Sequence, residues 1–124
     1  MPKRILIVED DPFLSKAYHT ILGDEGFEIE MAQDNLEGLK KAQEREPDLI
    51  LLDILTPELG GKEFLKIYDV KNQHPKVKVI VLSNVASPEL ADEVVALGAS
   101  SCRLKSATSP KEMVALIKET LAAS

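Results

Sequence analysis

The residues best suited to chemistry in this 124-residue sequence stand at the ends of apolar runs. Six polar or charged side chains follow such runs directly: Glu9, Asp10, Asp11, Asp53, Ser83 and Lys105. Asp53 is the most informative of them, because an acid at the end of a buried strand is costly unless it has a partner. Asp11, by contrast, precedes Pro12 and is typical of a helix cap.

This set of side chains predicts phosphoryl transfer. Crowded carboxylates repel one another unless a cation is bound, and oxygen ligands without His or Cys favour Mg²⁺ over zinc. Mg²⁺ held by a few carboxylates completes its coordination with water and phosphate oxygens, and an aspartate placed there can act as a nucleophile. Lys105 would then offset the added charge, and Ser83 would donate a hydrogen bond to a phosphoryl oxygen.

The hydrophobic pattern predicts a scaffold that brings these residues together. Apolar β-rich runs alternate with segments of helical spacing. The predicted strands are 5–8, 27–32, 49–52, 77–82 and 100–104. The predicted helices are 12–22, 35–45, 62–72, 88–98 and 110–121. Predicted helix caps are Asp11, Asn35, Ser87 and Ser109, the last within a capping box with Glu112.

The apolar spacing also makes predictions about single residues of the first and third helices. Phe13 recurs at helical spacing with the other apolar residues of the first helix, and Gly23 is expected to end it. Phe64, Leu65, Ile67 and Tyr68 are the apolar residues predicted on the third helix.

Five consecutive β/α units predict an α/β fold with a doubly wound parallel sheet. Short connections and right-handed crossovers place helices on both faces of such a sheet. Ligands bind beyond the carboxyl ends of its strands, near a reversal of strand order. The acids, the hydroxyl and the amine are therefore expected to converge on one edge.

Composition limits the function classes. At 44% hydrophobic and 29% charged, residues 1–124 are expected to form a single folded domain. A net charge of -6 argues against direct binding to nucleic acid or to a membrane surface. The lone Cys102 excludes an internal disulfide, and the first apolar run is too short for a signal-peptide core, so a cytoplasmic protein is expected.

Taken together, these positions closely resemble the receiver domain of bacterial two-component response regulators. The matching residues are Glu9, Asp10, Asp53, Pro57, Gly61, Ser83 and Lys105. The resemblance covers essentially the whole chain. It implies a flavodoxin-like, CheY-like sheet of five parallel strands in the order 2-1-3-4-5.

The resemblance also implies a role for each site residue. Asp53 would accept phosphate from a phosphohistidine of a sensor histidine kinase or a histidine phosphotransfer protein. Asp10, Asp53 and the backbone carbonyl of Leu55 would bind Mg²⁺, with Glu9 acting largely through water. Lys105 would contact the phosphoryl group.

The implied output is a signalling switch in a phosphorelay. Ser83 would swing toward the phosphate and remodel the face formed by the fourth helix, the fifth strand and the fifth helix. Such a protein catalyses its own phosphorylation and dephosphorylation and is not an enzyme acting on external metabolites.

Four positions depart from the family pattern. Ser106 follows Lys105 where proline is common, so a cis bond preceding proline is not available there. Cys102 occupies the place where a switch Tyr or Phe is usual, Asn84 replaces a small residue after Ser83, and Thr56 replaces an apolar residue. The departure at Cys102 motivates an alternative, a receiver-like interaction module whose output does not depend on phosphate. A nucleotide or flavin binder is disfavoured because no glycine-rich loop follows the first strand.

Overall fold

The computed structural model describes residues 2–56 and 58–123, and its centre is a parallel five-stranded sheet. The strands are β1 (Arg4–Val8), β2 (Glu28–Ala32), β3 (Leu49–Asp53), β4 (Lys78–Ser83) and β5 (Ser101–Leu104). Their order across the sheet is β2-β1-β3-β4-β5, as predicted. The order reverses between β1 and β3, so the carboxyl ends of these two strands flank the expected ligand crevice.

Five principal helices connect and follow the strands. They are α1 (Pro12–Asp24), α2 (Asn35–Glu44), α3 (Gly61–Tyr68), α4 (Pro88–Ala96) and α5 (Pro110–Ala122). A one-turn helix, Val70–Gln73, follows α3, and a 3-10 turn, Lys105–Ala107, follows β5.

Side chains that alternate along the strands divide the core into two layers, because successive residues of a strand point to opposite faces. Leu6, Ile50 and Val79 face the layer covered by α2, α3 and α4. Ile5, Leu49 and Ile80 face the layer covered by α1 and α5. β1 and β3 are buried along their whole length, which agrees with their continuous apolar sequences.

Three of the four predicted helix caps are confirmed. Asp11 accepts from the backbone N–H of Phe13, Ser87 accepts from Leu90, and Ser109 forms the capping box with Glu112. The fourth prediction is wrong: α2 is capped by Asp34, whose side chain accepts from Glu37 N. Asn35 is instead the first residue of α2, and its side chain is used elsewhere.

The predicted stop of α1 at Gly23 is also wrong. α1 continues to Asp24, and the left-handed residue after it is Gly26, at φ 90°. Gly98 occupies the equivalent position after α4, at φ 110°. Phe13 lies 86% exposed rather than on the buried face of α1. It belongs to the first turn of α1.

The predicted third helix is shorter than expected. α3 ends at Tyr68 because Asp69 adopts a left-handed conformation, with φ 53°, and the chain restarts as the one-turn helix. Ile67 is exposed, whereas Phe64, Leu65 and Tyr68 are buried as the helical spacing indicates.

Within residues 2–56 and 58–123, every helix is too short or too polar to span a bilayer.

Candidate functional site

Asp53 is the last residue of β3 and lies at the carboxyl edge of the sheet. Its side chain is almost completely buried, with 3% of the residue exposed. Asp53 Oδ1 accepts from the backbone N–H of Leu55 at 3.1 Å, and Oδ2 accepts from Lys105 Nζ at 2.9 Å. The cost of burying this carboxylate is therefore offset by two hydrogen-bond donors, the charged Lys105 and the neutral Leu55 N–H.

Glu9 and Asp10 follow β1, the strand beside β3. Glu9 is buried and Asp10 is exposed. Asp11 contributes its backbone N–H to Glu9 Oε2 at 3.1 Å, while its own side chain caps α1. The acidic run thus divides into one buried carboxylate, one solvent-facing carboxylate and one helix cap.

Lys105 forms ion pairs with both buried acids, Glu9 after β1 and Asp53 at the end of β3. Its Nζ lies 2.8 Å from Glu9 Oε1, in addition to its 2.9 Å contact with Asp53. Burial raises the pKa of both carboxyls, and the Lys105 ammonium opposes that rise. Although burial alone lowers the pKa of Lys105, its two carboxylate contacts outweigh burial and raise it. Lys105 is therefore held as an ammonium between two buried acids.

The donor set fits a hard divalent cation. Glu9, Asp10 and Asp53 each offer a carboxylate oxygen, and these oxygens lie within 4.8 Å of one another. Oxygen-only donors at this density suit Mg²⁺ better than zinc. A cavity of about 670 Å³ between α1 and α2 adjoins Glu9 and Asp10.

Ser83 ends β4, next to β3, and is also buried. Its Oγ donates to the carbonyl of Val85 and accepts from the N–H of the same residue, both at 3.0 Å. Asn84 is exposed, as are the side chains of Leu55 and Val85. The hydroxyl is thus at the predicted edge but is engaged with its own loop.

Cys102 lies on β5, opposite Val81 of β4. It is partly buried against the layer covered by α2, α3 and α4. Burial raises the pKa of its thiol, so the thiol stays protonated near neutral pH.

The structure therefore brings Glu9, Asp10, Asp53, Ser83 and Lys105 to one edge, as the strand ends predict. Pro57, the other loop position named from the sequence, lies outside the described residues. Gly61 begins α3, and a Cβ there would lie 2.9 Å from the Cα of Ile54, so this close approach requires glycine.

Two further residues contact this edge, and neither was predicted from the sequence to take part in the site. Asn35 is fully buried, and its Nδ2 donates to the carbonyls of Asp53 at 2.9 Å and Leu59 at 3.0 Å. Thr56 Oγ1 accepts from Asn35 N at 3.0 Å. A signal was available: Gly38, Leu39 and Ala42 follow Asn35 at helical spacing, which places Asn35 on the buried face.

Comparison with known proteins identifies a family that the sequence matches over most of its length. The family model described as the response regulator receiver domain matches residues 5–118. The transcriptional regulatory protein CpxR homolog of Haemophilus influenzae is 39% identical over 121 residues, which cover 95% of this chain and 50% of that protein. The chemotaxis protein CheY of Treponema pallidum is 32% identical over 107 residues, which cover 84% of this chain and 73% of that protein.

A solved structure has the same fold. The receiver domain protein (CheY-like) of Methanospirillum hungatei superposes with a TM-score of 0.88 at 34% identity, over 98% of this chain and 94% of that one. The chain spans about half the length of the transcriptional regulators it matches.

Proposed function

The chain belongs to the response regulator receiver domain family, and on that premise we propose that it is a phosphoacceptor switch of a two-component phosphorelay. Asp53 is the proposed acceptor. The observation that carries the proposal is the position of its carboxylate, buried at the carboxyl end of β3 with Lys105 Nζ at 2.9 Å and two further acids beside it.

The proposed reaction is a phosphoryl transfer from a phosphohistidine. An Asp53 carboxylate oxygen attacks phosphorus, a P–O bond forms, and the P–N bond of the donor breaks. The imidazole leaves with the bonding electron pair and takes up a proton. Hydrolysis of the aspartyl phosphate by water returns inorganic phosphate and the free carboxylate, so the protein acts only on itself.

Asp10, Asp53 and the backbone carbonyl of Leu55 are the residues proposed to hold Mg²⁺, with Glu9 beside them. Bound Mg²⁺ neutralises charge on the phosphoryl oxygens. The Leu55 N–H already fixes one oxygen of Asp53, at 3.1 Å, and so helps to hold the carboxylate in one orientation.

Lys105 and Ser83 are proposed to stabilise the phosphorylated form. Lys105 already donates a hydrogen bond to Asp53, and after phosphorylation it would donate to a phosphoryl oxygen on the same side chain. Ser83 would exchange its hydrogen bond with the Val85 carbonyl for one to the phosphoryl group. That exchange supplies the differential contact by which phosphate can favour a second arrangement of the loop after β4.

The proposed output surface is the face formed by α4, β5 and α5, reached through Ser83 and Asn84. Cys102 lies on β5 in this face, where a thiol replaces the usual large ring. This substitution favours a second candidate function, a receiver-like interaction module that works without phosphate. The two candidates differ in whether partner binding depends on Asp53.

Partners are proposed by chemistry. A sensor histidine kinase or histidine phosphotransfer protein supplies the phosphohistidine, and an effector reads the remodelled face. We propose that residues 1–124 are one receiver domain acting in the cytoplasm without direct contact to nucleic acid or membrane, in keeping with the net charge of -6.

The test is phosphorylation without a kinase. The protein is incubated with Mg²⁺ and acetyl phosphate, and the intact mass is measured for wild type, Asp53→Ala and the control Asp24→Ala, an exposed acid at the end of α1. We expect one phosphoryl mass on wild type and control and none on Asp53→Ala. Equal phosphorylation of Asp53→Ala would overturn the assignment, and size-exclusion chromatography before and after treatment reports any change of assembly.

A further inference from the structure

Asn35 is a buried polar residue in the first turn of α2, where nothing about the helix itself requires an amide. Asp34 already caps α2 through its own carboxylate. Burying an amide is costly unless its donors are satisfied, and both bonds made by Asn35 Nδ2 go to the β3–α3 loop. The side chain therefore serves the loop rather than the helix that carries it.

Asn35 holds this loop at three points. Its Nδ2 bonds the carbonyl of Asp53 at 2.9 Å and that of Leu59 at 3.0 Å, and its backbone N–H bonds Thr56 Oγ1 at 3.0 Å. Thr56 Oγ1 in turn donates to the Leu59 carbonyl at 2.8 Å. The four bonds form a closed clasp between the start of α2 and the loop after Asp53.

The position of this clasp bears on the Leu55 peptide. Leu55 lies between two held points, the Asp53 carbonyl on one side and the Thr56 hydroxyl on the other. Its N–H bonds Asp53 Oδ1, and its carbonyl is the backbone ligand in the proposed metal set. Outer contacts that orient ligands strongly affect metal affinity.

The loop has a further reason to need an anchor. Glu58 adopts φ 72°, which is uncommon for a residue other than glycine and persists only where the surroundings hold it. The Leu59 carbonyl, which follows directly, accepts from both Asn35 and Thr56. The clasp thus holds the loop on each side of the segment that contains Pro57.

We propose that Asn35, acting with Thr56, is a positioning residue that orients the Leu55 peptide and the Asp53 carboxylate for Mg²⁺. The inference rests on the proposed function, and it adds a determinant that touches neither the cation nor the phosphoryl group. It assigns Thr56, which departs from the apolar residue usual in the family, a role as the partner of Asn35.

The test measures Mg²⁺ affinity by isothermal titration calorimetry on the full chain. Asn35→Ala removes both amide donors, Thr56→Val removes the hydroxyl in a side chain of the same shape, and Thr56→Ser restores it. We expect Asn35→Ala to weaken Mg²⁺ binding by about tenfold or more and Thr56→Val by a smaller factor. Thr56→Ser is expected to bind as wild type does.

Two controls separate positioning from general destabilisation. Asn72→Ala removes an exposed amide that bonds Asp69. Ile117→Val loosens the opposite core layer, under α5, and lowers thermal stability without touching the loop. Both are expected to keep wild-type Mg²⁺ affinity. In the phosphorylation assay, Asn35→Ala is expected to need more Mg²⁺ for half-maximal rate and to recover most of the rate at saturation.

Each outcome decides the matter. Wild-type affinity in folded Asn35→Ala overturns the positioning role, as does an equal loss in Ile117→Val. If Asn35→Ala fails to fold by circular dichroism, Thr56→Val decides alone: unchanged affinity overturns the role, and a loss reversed in Thr56→Ser supports it. Phosphorylation of wild type but not of Asp53→Ala leaves the proposed function standing in either case. A wild type that takes up neither Mg²⁺ nor phosphate contradicts both proposals.

Discussion

The ammonium of Lys105 lies within 3.0 Å of two carboxylates, that of Glu9 just after β1 and that of Asp53 at the end of β3. It therefore has two opposed effects on the proposed reaction. We expect it to stabilise charge that develops on a phosphoryl group at Asp53, and to compete with Mg²⁺ for the oxygens of Glu9 and Asp53.

Lys105→Met is accordingly expected to separate binding from transfer. Removing the donor should slow phosphorylation by acetyl phosphate by roughly 100-fold, the usual effect of losing one such group. Mg²⁺ affinity should rise, because the carboxylates no longer share their charge with the ammonium. Intact mass against time and calorimetric titration measure the two effects.

The control for this variant is Lys118→Met. Lys118 is an exposed lysine that pairs with Glu25, so its loss should change neither quantity. Weaker Mg²⁺ binding in Lys105→Met would contradict the expected competition.

Leu55 and Val85 lie two residues after Asp53 and Ser83, and they are 66% and 61% exposed. We expect apolar side chains at these places to hinder or poorly orient the water that would attack an aspartyl phosphate. The double variant Leu55→Asn/Val85→Asn should speed dephosphorylation by roughly tenfold. This is less than the acceleration that a positioned general base usually provides, because an amide can orient the water but cannot take its proton. The phosphorylated mass is followed after the donor is removed.

Ile67→Asn serves as the control for this prediction, because Ile67 is an exposed apolar residue on α3 away from the acceptor. An unchanged phosphate half-life in the double variant would refute the role of Leu55 and Val85.

At the scale of the elements, two glycines within helices have opposite surroundings. A Cβ at Gly38, on the buried side of α2, would meet Val8 Cγ2 of β1 at 2.6 Å. A Cβ at Gly23, near the end of α1, would meet nothing within 4 Å. Gly38 is therefore required by the close approach of α2 to the sheet, whereas Gly23 only weakens its helix.

This difference predicts opposite effects of one substitution. Gly38→Ala should lower the free energy of unfolding by about 1–3 kcal/mol through overpacking. Gly23→Ala should raise it by about 0.5–1 kcal/mol, since alanine loses less backbone entropy in a helix. Urea unfolding followed by circular dichroism measures both, and a stabilised Gly38→Ala would show that α2 can move away from β1.

At the scale of the whole molecule, one tyrosine is buried in each core layer. Tyr18 is a buried residue of α1, and Tyr68 is the buried last residue of α3. Burial raises the pKa of each from 10.0 to about 12, with Glu9 adding to the effect at Tyr18. Neither hydroxyl has a hydrogen-bond partner among the described residues.

The sign of the resulting pH dependence follows from linkage. The unfolded chain loses these protons near pH 10.0, before the folded protein does at about 12, so stability is complete below pH 10.0 and falls as pH rises toward 12. Tyr18→Phe/Tyr68→Phe should remove part of that fall and change neutral-pH stability little, because no hydrogen bond is lost.

The measurement is the urea midpoint at a series of pH values for wild type and the double variant. Parallel losses above pH 10.0 in the two proteins would show that other groups cause the alkaline instability.

Much of this fold could be predicted from local sequence. Continuous apolar runs identify β1 and β3, and the caps Asp11, Ser87 and Ser109 mark the starts of three helices. Two wrong predictions, the cap of α2 and the end of α3, arise where neighbouring residues allow more than one local structure. Asp34 and Asn35 are both good caps, and Asp69 interrupts a helical pattern by adopting a left-handed conformation that its sequence does not require.

The membership of the candidate site could also be predicted in part from the sequence. The strand ends alone indicate that Glu9, Asp53, Ser83 and Lys105 meet at one edge, because parallel strands order their carboxyl ends on one side of the sheet. That inference depends only on the alternation of strands and helices along the chain. It holds without any knowledge of side-chain conformations.

Tertiary structure decided which of these groups contact one another and with what charge. Lys105 bonds Glu9 and Asp53 across separations of 96 and 52 residues, and Asn35 reaches the Asp53 carbonyl from another helix. Such contacts arise only when the two core layers pack around the sheet and remove the side chains from water. Burial then raises the pKa of Glu9 and Asp53 and strengthens each hydrogen bond that they accept. No local sequence pattern encodes these effects, because they depend on groups that are far apart along the chain.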